Sequence, residues 1–98
     1  MKTRFEWDEV KAVYNFKKHG VRFETAIRAF ADPFLLTVQD RVEHGEYRWQ
    51  AIGLIEGFIL LMVAHTVREE TDGTEVIRII SARRANKKER NSYETLRR

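Results

Sequence analysis

The sequence predicts an α+β domain with its helices segregated from an antiparallel sheet. Three observations predict it. Helical apolar spacing is confined to the first third of the chain, strand-like runs divided by turn signals fill the middle, and a charged, capped segment closes it. The 98 residues form a single domain, 1–98, and a hydrophobic content of 43% supplies a core.

Each element follows from its residues. Residues 5–7 can add a short first strand. Asp8 is placed to cap the next helix, because its carboxylate can accept from the first free N–H groups. Gly20 ends that helix near residue 19 in the left-handed conformation. Phe23, Ala26, Ile27 and Phe30 recur at i, i+3, i+4 and i+7, the apolar stripe of a second helix that Asp32-Pro33 stops. Residues 34–39 are rich in strand formers, and 41–46, with Gly45, read as a polar connection. Residues 47–55 alternate, with Tyr47, Trp49, Ala51 and Ile55 on one face. Glu56-Gly57 turns the chain into a third strand over 58–68. Asp72-Gly73, both tolerant of positive φ, turns it into a fourth over 76–83. Asn86 and Glu89 form an N-x-x-E capping box, which starts a helix reaching about residue 96. The expectation is two N-terminal helices, a four-stranded antiparallel sheet with an optional extra strand, and a C-terminal helix.

Charge is unevenly placed. Residues 78–98 carry 8 Lys/Arg against 2 Glu, a balance of +6, while residues 1–77 carry 10 against 13 Asp/Glu, a balance of −3. A cationic strand and helix suit a polyanion, because guanidinium makes charge-assisted bidentate bonds to phosphate. Any short solvated helix is also often charged, so composition alone favours nucleic acid only modestly. The absence of cysteine removes disulfides and thiolate metal sites. No apolar signal segment follows the N-terminus, and the longest apolar run, 58–64, has 7 residues, so a cytoplasmic protein without membrane contact is expected. His19, His44 and His65 lack metal-binding spacing. No phosphate-binding glycine loop, nucleophile elbow or carboxylate cluster is present, which removes most kinases, hydrolases and two-metal nucleases.

Three constellations remain. Lys11, Asn15 and Lys18, with His19 beside them, share one side of the first helix and can converge on a ligand. The simpler reading is a solvated side opposite a buried Val10, Val13 and Tyr14. Arg68, Arg78 and Arg83 are strand-borne cations. Alternation points Arg78 and Arg83 to opposite faces, so they share a pocket only if a bulge intervenes; otherwise they serve as structural partners of Glu46, Glu69 or Glu75. His44 lies near Glu46 in a polar loop and could exchange protons there, whereas His65 reads as a core or interface residue.

These residues line up into a pattern. Trp7, Asp8, Lys11, Asn15, Lys18, His19 and Gly20, then Arg78 to Arg83, then Glu89, Arg90, Tyr93 and Glu94 resemble the BrnT family over essentially the whole chain. The resemblance implies a RelE-like fold and a small ribonuclease that inhibits translation as the toxin of a type II toxin–antitoxin pair. It also implies a BrnA-like ribbon-helix-helix antitoxin, whose complex with the toxin represses their operon, so operator DNA is reached only through the antitoxin. Two positions depart from the family pattern. Arg22 stands where Ser or Thr would cap the second helix, and Gly45 stands where a hydroxyl residue is usual.

Cleavage without metal or cofactor needs a base, a cationic stabiliser and an acid. Arg68 and Arg83 are the expected stabilisers, and Glu46 and His19, with His44 and Tyr93 as further candidates, the proton carriers. Lys11, Asn15, Lys18, Arg78 and Tyr93 are expected to line the RNA track. The competing readings are a non-catalytic basic module acting as co-repressor, and an inactive toxin that survives only as a repressor partner.

Overall fold

The computed structural model describes residues 2–97. Along the chain run β1 (Thr3–Glu6), α1 (Glu9–His19) and α2 (Phe23–Ala26), the last continued as a 3-10 turn over Ile27–Ala31. The strands β2 (Leu36–Glu43), β3 (Glu46–Ile55), β4 (Ile59–Glu69) and β5 (Glu75–Arg84) follow, and α3 (Lys87–Arg97) closes the order. Asp8 and Gly20 bound α1 as expected, with the Asp8 carboxylate accepting from Val10 N–H at 2.8 Å and Gly20 at φ 72°. The Asn86–Glu89 capping box also forms, through two reciprocal bonds of 2.8 and 2.9 Å.

Two expectations are corrected. The sheet has five strands in the order β1-β5-β4-β3-β2 and is mixed, because β1 pairs parallel with β5. The expected polar connection over 41–46 is mostly strand, and only His44-Gly45, at φ 54° and 78°, turns the chain. Asp40 and Arg41 fit there because β2 is an exposed edge strand whose register shifts between Gln39 and Val42. Charges and irregular register of this kind keep edges from pairing with other chains.

The two faces of the sheet are covered unequally. α1 and α2 cover one face around Phe23, Ala26, Ala51, Leu61, Val63 and Ile79, and leave its β2 end, with Val42 and Tyr47, exposed. Phe5, Phe30 and His65 extend that core as a chain of tilted and edge-on rings with centroids 5.2 Å apart. Gly53 is required here: a Cβ would lie 2.5 Å from the Ala29 carbonyl oxygen, so only glycine lets the 3-10 turn approach the sheet. On the other face α3 covers only one end, packing Tyr93 onto Ile52, Leu60 and Met62. Asp32 ties the pieces together. Its carboxylate accepts from Phe34 N–H, Leu54 N–H and the Tyr93 hydroxyl.

The helix α1 is turned the opposite way from expectation. Val10 and Tyr14 are 78% and 64% exposed, and Asn15 is 3% exposed. The reason lies in the length of β1, which pairs with β5 only as far as Arg78. Beyond that point the β5 backbone needs other partners, and the Asn15 amide supplies them. It accepts from Ala82 N–H at 3.0 Å and donates to Ala82 C=O at 2.8 Å and Val21 C=O at 3.0 Å. A buried polar group satisfied on both sides outweighs a weak apolar stripe.

One further irregularity shapes everything that follows. Ala64 pairs with Ser81 but His65 pairs with Ile79, so Ile80 is an extra residue in β5. A bulge of this kind resets which side later residues face.

Candidate functional site

Alternation from the two core clusters assigns the open face. Met62 lies under α3 and pairs with Arg83, while Val63 and Ala82 pair on the helix-covered side. Continuing along β4 places Thr66, opposite Arg78, and Arg68, opposite Val76, on the same face as Met62. Because of the Ile80 bulge, Arg78 and Arg83 therefore share a face, contrary to simple alternation. Arg68, Arg78 and Arg83 all project from the face that α3 leaves largely open.

At the β1 end of this face, three arginines gather around one carboxylate. Arg68 donates to Glu6 through two bonds of 2.8 and 3.1 Å, Arg78 donates at 3.2 Å, and Arg4 lies 3.5 Å away. Arg4 also donates to Glu70 at 2.7 Å. The Arg68 hydrogen bond, helped by Arg78 and opposed by burial, lowers the Glu6 carboxyl to about 2. The Arg68 guanidinium remains 49% exposed, so its outer edge is open to a ligand.

At the α3 end Arg83 grips Glu89 through paired bonds of 2.8 and 2.9 Å. Burial pushes the Glu89 carboxyl up, but the bonds from Arg83 and the Asn86 N–H outweigh it, and the net shift is downward. The same Glu89 oxygen closes the α3 cap, so helix start and arginine position are one arrangement.

Arg48 belongs to this face as well, being one residue out of phase with Trp49 and Ala51. Its Nε is buried without a partner among the described residues, and its Nη2 lies 3.6 Å from Glu43. Sequence reasoning missed it, although the Tyr47-Arg48-Trp49 alternation carried the signal. Glu46 is exposed at the start of β3. It lies close enough to Arg68 to raise that guanidinium's affinity for its proton, yet among the described residues it has no ion pair within 4 Å.

The remaining expected site residues scatter. Asn15 is consumed by backbone bonds and offers nothing to RNA. Tyr93 is 2% exposed, with its hydroxyl donating to Asp32 at 2.5 Å, so it is a core residue and cannot stack on a base. Lys11 and Lys18 are exposed on α1, Lys18 lying 5.9 Å from the Tyr14 ring centroid. His44 sits exposed in its hairpin turn, 3.9 Å from Glu43. His65 is buried against Phe30, and desolvation lowers its proton affinity.

His19 is separated from the arginines by the sheet itself. It lines a hollow of about 220 Å³ with Arg22, Arg84 and the core residues Ile55 and Leu61, on the helix-covered side. A larger open trough of about 670 Å³ runs along α3, past Lys87, Lys88 and Asn91. No helix is long and apolar enough to cross a membrane among the described residues.

Fold and face together define a small α+β domain with an open, arginine-bearing sheet surface suited to phosphate groups. The chain belongs to the family described as the ribonuclease toxin BrnT of type II toxin–antitoxin systems, whose pattern matches residues 7–89. The crystal structure of the Brucella abortus ribonuclease toxin BrnT has a similar fold. It matches with a TM-score of 0.63 and 22% identity, covering 89% of this chain and 100% of that one. No curated protein matches the chain in sequence.

Proposed function

We propose that this chain is a metal-independent endoribonuclease that inhibits translation by cutting RNA on its open sheet face. In this reading a BrnA-like ribbon-helix-helix antitoxin neutralises it and carries the complex to operator DNA. One observation carries the activity: the Ile80 bulge puts Arg68, Arg78 and Arg83 on one exposed face. Each holds a carboxylate now. Arg68 and Arg78 are 49% and 41% exposed, and exposed pairs contribute about 0–1 kcal/mol, so an RNA phosphate can compete with Glu6 for them. Arg83 meets RNA while still held by Glu89, which is 12% exposed.

Chemistry follows from the groups that remain. Glu46 takes the proton of a ribose 2′-hydroxyl, whose oxygen attacks the adjacent phosphorus. The arginines stabilise the charge that develops, and the 5′-oxygen leaves with a proton from solvent, giving a 2′,3′-cyclic phosphate and a 5′-hydroxyl. Glu6 is unsuited as the base, because a carboxyl held at about 2 accepts protons weakly. His19 has no part in this site, and Lys11 and Lys18, on the helix that covers the opposite face, lie outside the arginine track. No group of three or more His, Cys, Asp or Glu able to hold a metal occurs among the described residues.

The test is growth arrest on induction, with cleavage of RNA by purified protein in EDTA. Arg68→Ala and Arg83→Ala should each lower cleavage about 10²-fold or more, the scale of one lost charge stabiliser. Glu46→Gln should also lose arrest. Full toxicity in both arginine variants removes the assignment. RNA bound but left intact favours the non-catalytic co-repressor.

A further inference from the structure

We propose that the hollow between α1, α2 and the end of β5 is a second binding site, which docks an acidic segment of a protein partner. An apolar side chain of that segment fills the hollow, and its flanking carboxylates meet Arg22 and Arg84. The site lies across the sheet from the arginine face, so its occupation does not depend on RNA cleavage.

Unused charge is the first argument. Every strand arginine other than Arg84 has a carboxylate within 4 Å, and none lines this hollow for Arg84. Arg22 likewise has no carboxylate partner among the described residues; its guanidinium lies 4.2 Å from the Phe16 ring centroid. With His19, the hollow presents three basic side chains and no acid.

The second argument is what Arg22 replaces. It occupies the N-cap of α2 without a side-chain cap bond. Serine, threonine, aspartate or asparagine would stabilise the helix there. The chain forgoes that bond and gains a cation at the mouth of the hollow.

Size and lining decide between occupants. A volume of about 220 Å³ over Val21, Ile55, Ile59 and Leu61 suits one aliphatic or aromatic side chain. Whole small-molecule ligands take pockets of roughly 300–1,000 Å³. A nucleobase needs a free aromatic face on which to stack, and the Phe16 ring already carries Arg22. An acidic peptide with one apolar anchor fits both the floor and the rim.

The experiment is an NMR titration of the full isotope-labelled chain with a pentapeptide, a leucine flanked on each side by two aspartates. The expected result is saturable shifts at the amides of Gly20, Val21, Ile59 and Arg84. Changing the peptide's leucine to alanine, or the protein's Arg22→Gln with Arg84→Gln, should weaken binding at least about tenfold, the scale of one charge-assisted bond. Both side chains are on exposed residues, so this variant retains its fold, and its unperturbed spectrum elsewhere checks that. Equal binding by the variant, shifts confined to other surfaces, or the same amides moving with oligouridylate but not with the peptide would overturn the proposal.

Discussion

Asn15→Ala separates a structural role from an RNA contact. The side-chain amide makes three bonds to backbone groups, two with Ala82 and one with Val21, all in the interior. Each intramolecular bond contributes about 1 kcal/mol net, and each buried partner left unsatisfied costs about 1–3 kcal/mol. Three lost bonds therefore cost at least about 3 kcal/mol, a large share of the 5–15 kcal/mol that holds a domain of this size together. A loss of that size lowers the melting temperature by about 12–24 °C for a chain of this length. Thermal unfolding by circular dichroism measures it directly. The loosened partners are the edge of β5 and the α1–α2 junction, so amide exchange at Ala82, whose N–H loses its acceptor, should quicken first. An unchanged melting temperature with weakened RNA binding would refute the argument and return Asn15 to the ligand track.

Other consequences are similarly concrete. Gly53→Ala forces a methyl to within 2.5 Å of the Ala29 oxygen, and the displaced 3-10 turn should cost about 1–3 kcal/mol by urea unfolding, the range for an overpacked core. Glu6 has a lowered pKa of about 2, so its contribution is complete above its ordinary value of 4.5 and fades as pH falls from there toward 2. The stability difference between wild type and Glu6→Gln should follow that window; a difference independent of pH would show that the carboxylate charge is irrelevant. The same variant frees Arg68 and Arg78, and its RNA affinity at neutral pH should rise in a filter-binding assay.

The sequence carried most of the architecture because its punctuation is local. Asp8, Gly20, Asp72-Gly73 and Asn86 each act within a few residues and sit where an element begins or ends. Asp32-Pro33 stops its helix locally, although the Asp32 carboxylate also reaches Leu54 and Tyr93. What stayed hidden depends on long-range pairing. Four residues of β1 hold a strand only because β5 lies alongside, and the first-strand window of 5–7 had to be shifted to Thr3–Glu6. Burial of Asn15 is decided by backbone 67 residues away, which no helical period reports. Tyr93 resembled an RNA contact because it lies in the cationic segment, yet its ring is claimed by Ile52, Leu60 and Met62. The arginines were legible as a group, whereas their common face was not, since an inserted residue in a strand leaves no trace in composition.

Arg83 and Arg84 are neighbours in sequence, yet the sheet stands between their side chains: one grips the start of α3, the other borders the hollow beneath α1. Arg83 lies opposite Met62 and Arg84 opposite Leu61, so each keeps its own surface for as long as that register holds. A single strand thus addresses two clients through adjacent codons, and substitutions at one can drift without disturbing the other.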